Sequence, residues 1–310
     1  MPAVSVVIPV FNKQKYVENS LKSVLNQTFK DFEIIIIDDG STDNSPRIIE
    51  KFTDRRIKFF KQSNQGVSYT RNKGVELSNS PLIAFLDADD YWYPFHLQTI
   101  IKLYKEFTQA DFFATGYEVK YPGGLVKKFQ FKPEKQERIL EKFYRYIEGS
   151  PLFYTSNFAI KKDIFKKEKG FKTHIHGEDT EFFYRLGYHY RLAYNPSITL
   201  RYMNKTENSL FANYETDRKV IILNELKSIE AKDIYMKKML DLNRFAWSLE
   251  YKVSGEYQKA IELVKQIDKK NLNFIQKILL KSPASVIKKL KRLQEFLIKN
   301  RIYISPFKKT

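Results

Sequence analysis

Three carboxylates crowd into four residues where an apolar run stops: Pro81 to Leu86 is followed by Asp87, Ala88, Asp89 and Asp90. Such a run, bounded by polar residues, reads as a buried strand. Ligands of open α/β sheets gather at the carboxyl ends of the strands. In an extended backbone Asp87 and Asp89 would point to one side. Two oxygen ligands aimed together suit a hard divalent cation that takes its other ligands from water and substrate phosphates. The competing reading is a solvated acidic turn that caps the next segment.

A second acidic turn has the same position relative to a strand. Phe32 to Asp38 is continuously apolar up to Asp38, Asp39, Gly40, Ser41, Thr42 and Asp43, a composition that suits a parallel strand running into a capped helix. Asn64 and Gly66 open a third helix, which carries Arg71 one turn in. Much later, Gly177, Glu178 and Asp179 precede an amphipathic stretch over residues 180–186. Carboxylates there either favour a helix N-terminus or serve as acid–base groups.

These residues need elements to place them. Val4 to Val10 is a β-branched strand closed by Pro9 and Val10, with Asn12 just beyond and a helix over about 13–27. Strands at 32–38, 57–61 and 81–86 alternate with helices ending near residues 52 and 78, the pattern of a mainly parallel, Rossmann-like sheet flanked by helices. The expected continuation is a helix from Pro94, at its N1 position, to Phe107, then strands at 112–120 and 125–131. A helix at 133–146, a strand at 153–160 and a strand at 190–200 come next. From about residue 213 glycine nearly vanishes and helical spacing dominates, giving helices at 215–237, 240–253, 256–268 and 272–280. The division expected is residues 1–210 and a basic α-helical region, 211–310.

Neither GxGxxG nor GxxxxGK[ST] occurs, which argues against dinucleotide and P-loop enzymes. The 310 residues contain no cysteine and are 43% hydrophobic, so disulfides and thiolate metal sites are excluded and a substantial core is possible. No basic segment precedes an apolar one at residues 1–10, and no run approaches the roughly 20 apolar residues that span a bilayer. The expectation is a cytoplasmic protein, peripheral at most to the inner face of the membrane. A formal charge of +18 points to polyanionic neighbours. Residues 285–299 place Val286, Leu290, Leu293, Phe296 and Leu297 on one helical face, with lysines mostly off it. That is either an interfacial helix for anionic lipid or a helix packed on the domain.

Six blocks in order resemble the family 2 glycosyltransferases with a GT-A fold: SVVIPVFN at 5–12, SLKSVLNQ at 20–27, IDDGSTD at 37–43, NQG at 64–66 with RNKG at 71–74, FLDADD at 85–90, and Glu178-Asp179. The resemblance covers residues 4–92 closely and extends more weakly to about 205. It implies an inverting, metal-dependent transferase that moves sugar from a nucleotide-sugar, most simply a UDP-sugar, to a saccharide hydroxyl in surface-polysaccharide or lipid-linked oligosaccharide assembly. Pro9, Val10 and Asn12 would line the base and ribose pocket, Asp39 would accept the uracil imide N–H, and Asn64 and Gly66 would shape the loop beneath the donor. Arg71 and Ala88 would touch the donor. Asp89 and Asp87 would hold Mn²⁺ or Mg²⁺, Asp179 would be the general base, and Glu178 with His176 would face the acceptor. Asp90 would cap the segment after it.

One departure stands out. Many relatives carry a His near residues 204–206, where this chain has Asn204, Lys205 and Thr206; Lys205 or Arg201 are the substitutes to consider. Two alternatives remain: sugar transfer directly to a polyprenyl phosphate, and a non-catalytic polyanion-binding protein. A nucleic-acid partner is not expected.

Overall fold

The computed structural model describes residues 1–131, 138–147, 151–204 and 216–302, except for the side chains of residues 216, 218 and 219. β1 (Val4–Val10) and β2 (Phe32–Asp39) are buried along their whole length. Their β-branched residues alternate between two cores, Val4, Val6 and Ile8 on one side of the sheet and Val7 on the other. A strand buried on both faces therefore needs apolar residues at successive positions.

β1 lies between β2 and β4 (Leu82–Phe85), and β2 continues to β3 (Ile57–Gln62), all parallel. α1 (Val17–Leu25), α2 (Ser45–Ile49) and α3 (Val67–Leu77) make the crossovers. α3 lies flat on β1: a Cβ on Gly74 would sit 2.3 Å from Val7 Cγ1. Beyond β4 come β5 (Tyr91–Trp92), α4 (His96–Glu106), β6 (Phe112–Lys120), β7 (Val126–Phe129), β8 (Ile139–Glu141), β9 (Phe158–Lys161), α5 (Lys162–Lys167), α6 (Glu178–His189) and β10 (Arg191–Met203). The sheet order is β3-β2-β1-β4-β9-β6-β10-β5, with β7 on β6 and β8 on β10. β9 is antiparallel to both its neighbours, so the sheet changes direction at β4.

α7 (Thr216–Glu225), α8 (Lys227–Glu230), α9 (Ile234–Ser254), α10 (Tyr257–Lys265), α11 (Phe274–Lys281) and α12 (Ala284–Lys299) complete the chain. α9 is long, capped by Asp233 through Tyr235 N–H and Met236 N–H, and ended by Gly255 at φ 91°, the left-handed geometry that favours glycine at a helix end. Leu223, Met236, Leu240 and Trp247 join Phe85, Phe158 and Phe182 in one core. α7 and α9 thus cover the same face of the sheet as α6, whereas α1 and α4 cover the other.

Several elements differ from the sequence expectation. α4 starts at His96, so Pro94 lies two residues before the helix and not at N1. The helix expected at 133–146 does not form where the chain is described: Ile139–Glu141 pairs with β10, Lys142 takes φ 49°, and Phe143–Tyr146 is a 3₁₀ turn. Residues 133–137 lie outside the described residues. The strand expected at 153–160 is limited to β9, because Asn157 Oδ1 accepts from Tyr154 N–H and closes a 3₁₀ turn. The single helix expected at 215–237 is broken before Asp233, whose capping side chain begins α9 instead.

Candidate active site

A cleft of about 550 Å³ opens at the carboxyl ends of β1, β2 and β4, walled by the start of α6 and by α9. β1 delivers Pro9 and Val10, and the next residues are fixed to the β2 turn. Asn12 N–H donates to Ser41 Oγ at 2.9 Å, and Thr42 N–H donates to Asn12 Oδ1 at 2.8 Å. Asn12 has φ 52°, a conformation asparagine tolerates better than most residues. It buttresses the loop, and the cleft wall itself passes from Phe11 to Lys13.

Asp39 is buried at the end of β2 and holds the loop before α3. Its Oδ1 accepts from Gln65 N–H (2.9 Å) and Gln62 Nε2 (2.7 Å), and its Oδ2 accepts from Gly66 N–H (2.8 Å). Gly66 has φ 88°, which presents its N–H to that carboxylate. Asp38 accepts from Ser41 N–H, and its other oxygen is buried with no hydrogen-bond partner among the described residues.

The strand-end carboxylates do not stay extended. Asp90 N–H donates to Asp87 C=O, making a turn that separates the fates of the three acids. Arg71 reaches Asp87 Oδ1 at 2.7 Å and, from the same guanidinium, Glu178 Oε1 at 2.8 Å. Lys13 Nζ is 2.6 Å from Asp89 Oδ2. Asp90 turns away from the cleft, accepting from Ser156 Oγ and Met203 N–H. It is therefore no cap for a following helix; it pins the end of β10 to the loop. Burial, then the charges of Asp89 and Asp87, push its carboxyl well up.

Glu178 and Asp179 stand at the first two positions of α6, after Gly177 at φ 80°. Asp179 Oδ1 accepts from Thr180 N–H at 2.6 Å. Burial raises both carboxyls, Glu178 further through the neighbouring Asp179, while the Arg71 charge opposes the rise in each. The guanidinium is held charged by Asp87 and Glu178 despite complete burial. An ion-pair relay from β4 through α3 to α6 results. Breaking one side of such a buried set leaves an uncompensated charge.

Of the residues singled out in the sequence, Pro9, Val10, Asp39, Asn64, Gly66, Arg71, Asp87, Ala88, Asp89, Glu178 and Asp179 all line this one cleft. Asn12 supports it from behind. His176 precedes Gly177 and does not line the cleft, and His174 reaches Glu225 of α7 at 3.1 Å. Arg201 is taken up by Glu118 (2.7 Å) and the Tyr93 hydroxyl (2.7 Å), outside the cleft. Lys205 lies outside the described residues. Sequence reasoning missed Lys13, which it treated only as a helix start; a lysine just past the carboxyl end of a central strand was the available signal. It also missed Tyr154 and Tyr202, stacked with ring centroids 4.4 Å apart, and the α9 residues Asn243, Trp247 and Glu250.

Two cleft carboxylates, Asp87 and Asp89, are the donors a divalent cation could use. Among the described residues no group of three or more His, Asp or Glu is arranged to hold a metal. Asp87 and Asp89 are engaged by Arg71 and Lys13; a cation bound there would have to draw its remaining ligands from phosphate and water.

Residues 5–168 match the model of a family described as Glycosyl transferase family 2. The EpsH protein of Bacillus subtilis (strain 168) is 30% identical over 237 residues, 70% of this chain and 68% of its own. A Campylobacter jejuni protein, GalNAc(5)-diNAcBac-PP-undecaprenol beta-1,3-glucosyltransferase, is 28% identical over 97% of this chain and all of its own. The structure also resembles that of Staphylococcus aureus TarS 1-349 in complex with UDP-GlcNAc. There the TM-score is 0.67 at 16% identity, over 94% of this chain and 92% of that one. That likeness concerns the fold, which is of the GT-A type. The family match spans more than half of the chain and ends beyond the strand-end acids, so this protein belongs to glycosyl transferase family 2 and is a sugar-transferring enzyme.

Proposed function

We propose that the protein moves a sugar from a UDP-sugar to a hydroxyl of a saccharide, inverting the anomeric centre, with Mn²⁺ or Mg²⁺ held by Asp89 and Asp87. The observation that carries this reading is the convergence on one cleft of the β4-end acids with Glu178 and Asp179, coupled through Arg71. An inverting transfer needs one charge-stabilising group behind the leaving diphosphate and one base before the incoming hydroxyl. In this reading the acids after β4 would serve the first need and Asp179 at the start of α6 the second.

In this mechanism Pro9, Val10 and Asp39 receive the nucleotide, and Lys13 turns from Asp89 toward the diphosphate. When bound, the cation supplies positive charge to the departing diphosphate. Asp179 takes the proton of the acceptor hydroxyl as its oxygen bonds to the anomeric carbon. The bond from that carbon to the phosphate oxygen breaks, and UDP leaves with the electron pair. Glu178, tied to Arg71, orients acceptor hydroxyls.

The test is UDP release from a panel of UDP-, GDP- and dTDP-sugars with Mn²⁺ and then with EDTA, alongside calorimetry of UDP binding. Metal-dependent release from a UDP-sugar is expected. Binding of another nucleotide in preference to UDP would overturn the donor assignment. Transfer to a polyprenyl phosphate needs little base catalysis, so full activity of Asp179→Asn would move the acceptor to that class.

The acceptor is proposed to be lipid-linked, at the cytoplasmic face of a bilayer. The named activity of the Campylobacter relative supports this, and so does α12. Only Ile287 of that helix is buried, while Val286, Leu290, Leu293 and Phe296 are 40–62% exposed. No helix among the described residues is long and apolar enough to cross a membrane. A half-exposed apolar stripe among lysines suits an anionic surface. Flotation with phosphatidylglycerol vesicles at low salt should carry the protein upward; a protein that stays at the bottom would refute bilayer contact.

A further inference from the structure

We propose that α9 supplies a binding subsite for a neutral pyranose unit of the acceptor, made by Asn243, Trp247 and Glu250. The proposal rests on the sugar-transfer reading and adds the element and residues that would select the acceptor. The three residues succeed one another at helical spacing of four and three, so they share a face of α9, and all three line the cleft that holds the strand-end acids.

Their chemistry is that of carbohydrate recognition. Trp247 is 8% exposed; its indole is held by the core and gives the cleft a fixed apolar surface for the C–H face of a sugar ring. The Asn243 Nδ2 group is buried and has no hydrogen-bond partner among the described residues. A buried donor left unpaired is unfavourable, and a sugar hydroxyl or an acetamido oxygen would satisfy it. Glu250 offers acceptor oxygens for hydroxyl donors.

Location ties the subsite to the reaction. The Tyr184 hydroxyl lies beside the Asn243 side chain and close enough to Asp179 for that carboxylate to add to the upward push of burial on it. Asn243 therefore lies on the base side of the cleft, near α6. Asp179 and Glu250 in the same cleft disfavour an anionic unit at this end, whereas a neutral ring meets no such repulsion.

The experiment uses the full chain and the p-nitrophenyl glycosides of glucose, galactose, N-acetylglucosamine and N-acetylgalactosamine as probes. Saturation-transfer NMR would report glycoside and UDP binding in one sample. At least one glycoside is expected to bind the wild type. Asn243→Asp and Glu250→Ala should each weaken it about tenfold or more with the UDP signal retained, and Glu250→Gln should recover part of the loss. Trp247→Ala is the stronger substitution but removes core volume; the two polar variants keep the test sound if it fails to fold. Unchanged glycoside binding in both polar variants overturns the subsite. UDP binding without any glycoside binding in the wild type also overturns it and leaves the donor reading intact. Absence of UDP binding overturns the proposed function and this inference together.

Discussion

The two walls of the cleft are built in opposite ways. On the sheet side, Asp39, Asp87 and Glu178 stand at strand or helix ends and Arg71 one turn into α3; Asp39 is held by the loop before α3 and Arg71 joins Asp87 to Glu178, all at 2.7–2.9 Å. On the helical side, α9 meets the cleft with separated side chains on one face, and the helices packed on it leave apolar residues in water: Phe274 is 77% exposed and Phe296 62%. Groups that must not move are fixed by backbone and paired charge; groups that choose a partner stand on a helix surface. Substitutions on the two walls should therefore fail differently.

The largest expected effect is on the sheet side. Asp89→Ala should lower turnover on the order of 10³-fold, the scale of losing a main electrostatic contact to a leaving group. Thermal stability should fall as well, since Lys13 and Asp89 are only 13% and 15% exposed and the lysine would lose its paired carboxylate. Steady-state UDP release with and without acceptor checks the first part. Turnover within about tenfold of wild type would show that Asp89 is not the charge-bearing ligand.

Arg71→Met attacks the frame itself. Asp87 and Glu178 would lose the cation between them, and Glu178 is 5% exposed. Removing one partner of a buried ion pair typically destabilises by about 3–5 kcal/mol. Urea denaturation would measure it, and a midpoint equal to wild type would mean that the relay is loose. Gly74→Val should act through packing alone, its side chain colliding with Val7 on β1, at about 1–3 kcal/mol. A stability loss with unchanged UDP affinity would show that donor contacts tolerate a shift of α3.

Most of the sheet wall was legible in the sequence, because it is written in local patterns. Continuous apolar runs gave β1, β2 and β4, and the acids at their ends fell where the strands stop. The helical wall was not legible. Trp247, at helical spacing among apolar residues, reads the same whether it faces a core or a cleft. Asp233 capping α9 became informative only once the break before it was seen. Lys13 escaped for another reason: its contact with Asp89 spans 76 positions, and no periodicity encodes such a pairing. Membership in the family also removes the non-catalytic alternative that the charge had kept open.

The pH response joins the two walls. Both carboxyls at the start of α6 are raised, chiefly by burial, Glu178 to about 7. A raised carboxyl holds its proton in the folded state where the unfolded chain has released it. The stability from these groups is thus present on the acid side and lost as pH rises from the usual carboxylate range through about 7. Activity should run the other way, since Asp179 must be ionised to accept a proton, rising about tenfold per unit below its titration. Asp179→Asn should abolish that rise. A wild-type profile flat from pH 5 to about 8 would show that no group of this pair limits the rate.

The smallest effect on stability is the sharpest test of the helical wall's outer surface. Ile287 and Leu290 are three residues apart on α12, one 3% exposed and the other 46%. Ile287→Asp buries a charge against α9 and should destabilise strongly. Leu290→Asp changes a half-exposed side chain that can turn its charge to water, and should stay within about 0.5 kcal/mol of wild type. If the exposed stripe contacts a bilayer, this second variant will unfold like wild type yet float poorly with anionic vesicles, because a carboxylate replaces apolar area that lipid would cover. If Leu290→Asp is as damaging to folding as Ile287→Asp, the stripe is covered in solution by protein, and the contrast between a fixed wall and an open one fails at this surface.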